Sequence, residues 1–66
     1  MTETVTAMYE SKDQVRNAVD DLISTGIPRE KFRVDDDKLE VAVLTAETTE
    51  PEIKEILMRH QPASIS

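Results

Sequence analysis

Between Ser11 and Gly26 the apolar residues fall at Val15, Ala18, Val19, Leu22 and Ile23, the i, i+3, i+4, i+7, i+8 spacing of one helix face. A helix with one such stripe needs an apolar surface to lie on. The segment before it supplies half of that surface by alternating. In residues 4–10, Val5, Ala7 and Tyr9 point one way and Thr4, Thr6 and Met8 the other, as in a half-buried strand. Both ends of the helix are marked. Ser11 with Gln14 three residues on forms a capping box, in which side chains satisfy orphan backbone N–H groups. Gly26, the only glycine, suits the left-handed C′ position, Ile27 can fold back onto the last turn, and Pro28 prevents continuation. Arg16 and Asp20 form an i, i+4 pair on the wet side.

Two further strands are expected at Lys31–Val34 and Leu39–Leu44, around Asp35-Asp36-Asp37-Lys38. A tight hairpin centred on Asp36-Asp37 sets Val34 opposite Leu39 and Phe32 opposite Val41. It also sets Arg33 opposite Glu40 and Asp35 opposite Lys38, so apolar and opposite-charge pairing agree. The turn lacks the Asn-Gly or Asp-Gly of the best two-residue loops, which leaves a looser four-residue loop open. Thr49 with Glu52 is a second capping box, with Pro51 in the first turn. Ile53, Ile56, Leu57 and His60 then make an inner stripe. Glu50–Lys54 and Glu55–Arg59 are i, i+4 pairs, and Gln61-Pro62 ends the helix.

The order is β-α-β-β-α, an α+β fold with two helices on one face of a three-stranded antiparallel sheet. It is ferredoxin-like, lacking or nearly lacking the last strand. A right-handed crossover places strand 1 beside strand 3, with strand 2 at one edge. Residues 1–62 form one domain, and residues 63–66 are read as a flexible tail. The expected core is Val5, Ala7, Tyr9, Val15, Ala18, Val19, Leu22, Ile23, Phe32, Val34, Leu39, Val41, Val43, Ile53, Ile56 and Leu57.

Three stretches, Val5 to Ser11, Ala18-Val19-Asp20-Asp21-Leu22 and Gly26-Ile27-Pro28, resemble the opening of small bacterial general-stress-protein domains of the heat-induced YflT-like type. The resemblance covers the first half of the chain. It implies a stress-associated protein and transfers no catalytic residue.

Composition removes several function classes. With no cysteine and one histidine, neither a disulfide framework nor a Cys/His zinc knot can form. A net charge of −6 opposes nucleic acid and anionic membrane. The longest apolar run, Val41 to Leu44, is far short of a membrane span, and Met1-Thr2-Glu3-Thr4 does not open a signal peptide. A cytoplasmic location is expected. Asp35-Asp36-Asp37 lacks the alternating acids, central glycine and distal Glu of a calcium loop, so it reads as a solvated turn. His60 has no nucleophile or pocket beside it, and reads as a cap on the apolar stripe near a helix C-terminus. Ser11 is explained by capping. Arg29, Lys31, Arg33 and Lys38 cluster around strand 2, but the aromatics Tyr9 and Phe32 face the core. The cluster therefore reads as a charged edge strand rather than an RNA platform.

Thr4, Thr6, Met8, Ala42 and Leu44 share the open face, which is either scattered exposed apolar surface or an interface. Strand 1, including Ala7, is uncharged from Thr4 to Tyr9, long and β-prone, the kind of edge that pairs with a twin. A domain of this length gains from such added burial. The expected function is a non-enzymatic interaction module, homodimeric through strand 1 and without a cofactor. The alternative is a small-molecule or metal-binding regulatory domain.

Overall fold

A computed structural model describes residues 2–65. Strand β1 (Thr2–Met8) leads into helix α1 (Lys12–Thr25). A 3-10 turn at Arg29–Lys31 enters β2 (Phe32–Asp35), and a hairpin leads to β3 (Glu40–Ala46). A second 3-10 turn, Glu47–Thr49, runs into helix α2 (Glu50–Met58), and β4 (Ser64–Ile65) follows. The sheet is antiparallel with order β2-β3-β1-β4, a ferredoxin-like arrangement with its last strand cut to two residues.

The caps of α1 explain its length. The Gln14 N–H donates to the Ser11 hydroxyl at 3.2 Å. The reciprocal bond goes to Glu10, whose N–H donates to Gln14 Oε1 at 3.1 Å. At the other end Gly26 has φ 104°, and the N–H groups of Gly26 and Ile27 donate to Ile23 and Leu22 carbonyls at 3.0 Å each. This is the Schellman pattern, which stops a helix by consuming its last free carbonyls. The second capping box does not form. Thr49 is the last residue of the 3-10 turn and has helical backbone angles, so its hydroxyl donates back to the Ala46 carbonyl at 3.1 Å. Arg16 and Asp20 make no ion pair, whereas Glu50–Lys54 (3.0 Å) and Glu55–Arg59 (3.8 Å) do.

The hairpin register differs from the expected one by two residues. Phe32 lies opposite Val43, Arg33 opposite Ala42, Val34 opposite Val41, and Asp35 opposite Glu40. The looser loop wins because Asp35 organises it. One of its carboxylate oxygens accepts the N–H groups of Asp37 (3.1 Å) and Lys38 (3.2 Å), and Leu39 takes φ 55° to re-enter the strand. A shift of two preserves the side-chain faces, so Val41 and Val43 stay inside. The expected Arg33–Glu40 and Asp35–Lys38 pairs are lost.

The core sits between the helices and one sheet face: Val5, Ala7, Tyr9, Val41 and Val43 below, and Val15, Ala18, Leu22, Ile53, Ile56 and Leu57 above. Val19, Phe32 and Leu39 are partly buried against it. Two expected core residues are not buried. Ile23 is 42% exposed and Val34 40% exposed. β2 is the edge strand, so nothing beyond it covers Val34 or the outer flank of α1. Of residues 63–66, read from sequence as a flexible tail, Ser64 and Ile65 form β4, and Ser66 lies outside the described residues. The Ala63 N–H donates to the Met8 carbonyl at 2.6 Å, and Ile65 and Ser64 pair with Ala7 and Met8.

Candidate interaction surface

β1 and β3 pair along their whole length, which sets Thr4 beside Leu44 and Thr6 beside Ala42 on the face turned from the helices. Met8 joins them at one end, beside Glu40. Met8 and Leu44 are exposed, and Thr6 and Ala42 half-buried between them. Five of the six residues singled out from sequence therefore share one surface. Ala7 does not. It is fully buried on the core face, and its strand neighbour on the outer side is Ile65. β4 covers β1 only at Ala7 and Met8, so Thr2–Thr6 have no outer strand partner among the described residues.

The other side of the sheet ends at β2. Along it, Val15, Val19 and Ile23 of α1 line a groove with Val34, rimmed by Lys12, Arg16, Asp20, Arg29 and Asp36. Sequence reasoning placed Ile23 and Val34 in the core and so missed this groove. The signal was available in the topology, since an edge strand has one covered side only. Beyond the hairpin, Arg29, Lys31 and Arg33, with Glu30 among them, gather with Phe32, Ala42, Leu44 and Thr4 around an open cleft of about 430 Å³. Lys38 is in the hairpin loop and does not line this cleft.

The remaining chemical candidates have structural partners. His60 lies beyond the end of α2, where its Nε2–H donates to Asp21 Oδ2 at 3.0 Å, while Arg59 approaches the same oxygen at 3.7 Å. Gln14 Nε2 donates to the carbonyls of His60 and Gln61 at 3.3 Å each. These contacts clip α1 to the end of α2. Tyr9 is 4% exposed and donates its hydroxyl to the Leu57 carbonyl at 2.8 Å, and burial pushes its pKa up to about 12. Asp35 serves the turn, and no cluster of three or more His, Asp or Glu residues is arranged around a metal position among the described residues. Glu3 Oε2 is buried without a hydrogen-bond partner. No helix among the described residues is long and apolar enough to cross a membrane.

Neither a family model, nor a curated protein, nor a solved structure matches the chain. The function must therefore be argued from the surface itself.

Proposed function

We propose that this chain is a small, non-enzymatic, stress-associated interaction module that associates with a second copy of itself through its sheet. One observation carries the reading. Both helices pack on one face, leaving the other face with Met8 and Leu44 exposed and the outer edge of β2 without a strand partner among the described residues. Uncovered strand edges recruit further strands, and a domain of 66 residues gains core by doing so. Two edges are available for that contact, Thr2–Thr6 of β1 and the whole of β2. Ser11 serves a helix cap, Asp35 a turn and the Asp21–His60 pair the helix–helix clip, so these chemical candidates already have structural roles among the described residues. The stress association rests on the resemblance of the β1–α1 segment.

Sedimentation equilibrium from tens to hundreds of micromolar tests the proposal. The expected result is a concentration-dependent rise toward the dimer mass. A monomer throughout would overturn it.

The cleft bearing Arg29, Lys31 and Arg33 favours a second reading, a regulatory domain for a small anionic ligand. A thermal-shift screen against anionic metabolites separates the two. A ligand for this cleft raises the melting temperature by mass action, and a purely protein-binding module stays flat.

A further inference from the structure

We infer that two copies of this chain pair along the outer edges of β2, antiparallel about a two-fold axis at Val34. The inference rests on the self-association proposed above and specifies its interface. β2 terminates the sheet, with β3 as its one strand neighbour among the described residues. Lys31, which looks from sequence like a charge guarding this edge, lies in the 3-10 turn before the strand. That leaves Arg33 as the one cation of β2, and Asp35 follows it two residues later on the same face.

This spacing is self-complementary in one register. With Val34 on the axis, Val34 meets the partner's Val34, Arg33 meets the partner's Asp35, and the reverse pair repeats it. Centring on Arg33 sets two guanidinium groups opposite each other, and centring on Asp35 sets two carboxylates opposite each other. Both are unfavourable as direct cross-strand neighbours. Registers displaced by one residue oppose Val34 to Arg33 and mismatch the faces of the two sheets.

Two features of the isolated chain are resolved by this pairing. Asp35, one of whose carboxylate oxygens accepts two loop N–H groups, lies opposite Glu40 within the sheet, and the partner's Arg33 adds a cation beside these two acids. Val34 and Ile23, 40% and 42% exposed, line the same charge-rimmed groove along this edge, so pairing brings the exposed apolar side chains of the two copies together. The β1 edge offers neither advantage. β4 closes it at Ala7 and Met8, and a two-fold pairing of Thr2–Thr6 about Thr4 forms no cross-strand ion pair.

The absence of cysteine makes the register directly readable. Residues directly opposite in antiparallel strands lie about 4.5–5.5 Å apart between Cα atoms, within disulfide range. Single variants Val34→Cys and Thr4→Cys are oxidised with glutathione disulfide at a concentration where wild type sediments as a dimer. Val34→Cys is expected to cross-link at least tenfold faster than Thr4→Cys. Arg33→Glu, at an exposed position, is expected to weaken dimerisation at least tenfold with an unchanged circular dichroism spectrum. A wild-type dimer in which Thr4→Cys cross-links as fast or faster, or in which Arg33→Glu dimerises normally, overturns the β2 interface while leaving self-association standing. A wild-type monomer across the range removes both.

Discussion

At the scale of single residues, Tyr9 ties the end of β1 to α2, and it is the only tyrosine in a chain without tryptophan. Its ionisation can therefore be followed alone by ultraviolet absorbance. Burial raises its folded pKa to about 12, above the ordinary value of 10.0. The neutral form is the one the fold holds, so the stabilisation is complete below pH 10 and is lost as pH rises toward 12. The window corresponds to about 2–3 kcal/mol at most. Stability measured by urea titration is expected to fall between pH 10 and pH 12, and Tyr9→Phe is expected to flatten that fall. At neutral pH the same variant should cost about 1 kcal/mol for the lost hydrogen bond, because the Leu57 carbonyl still accepts from His60 N–H. An unchanged slope in Tyr9→Phe would assign the alkaline loss to another group.

Among the elements, α1 was the most legible in the sequence and β4, read there as a flexible tail, the least. Ser11, Gln14 and Gly26 act through backbone groups within a few residues, so their roles follow from spacing alone. Gly26 provides the corresponding test. No atom lies within 4 Å of an added Cβ there, so the cost of Gly26→Ala is that of φ 104° itself. The expected destabilisation is about 1–2 kcal/mol, a fall of several degrees in melting temperature by calorimetry. Gly26→Asn should lose less, because asparagine tolerates the left-handed region. The hairpin was harder. Apolar alternation fixed which face each strand shows, but a shift of two leaves that alternation intact, and the choice fell to the Asp35 carboxylate closing the turn. Thr49 misled for a related reason. A capping box presumes an extended residue before the helix, and the 3-10 turn gives Thr49 helical angles. The open-face set of Thr4, Thr6, Met8, Ala42 and Leu44 was readable because period two survives any register of correct parity. Val34, Ile23, Ala7's outer neighbour and the Asp21 partner of His60 were not, because each depends on which element lies next in space.

For the whole molecule, charge makes the sharpest forecast. Arg29, Lys31 and Arg33 gather at one cleft, yet the chain carries −6 overall. The repulsion is expected to dominate, so filter retention of RNA or DNA at physiological salt should be no greater than background. Micromolar binding that weakens steeply with added salt would show that the local cluster prevails. The sheet order has a consequence of another kind, in time rather than energy. β1 is flanked by β3 and β4, so every ladder it enters closes a loop of about half the chain or more. During synthesis the first strand made must wait, unpaired and apolar on one side, until residues 40–46 have left the ribosome, whereas α1 can already be capped and wound. Such long-range closure slows folding and prolongs the exposure of strand edges. The interval before β3 arrives is therefore when this chain most needs either speed or a chaperone.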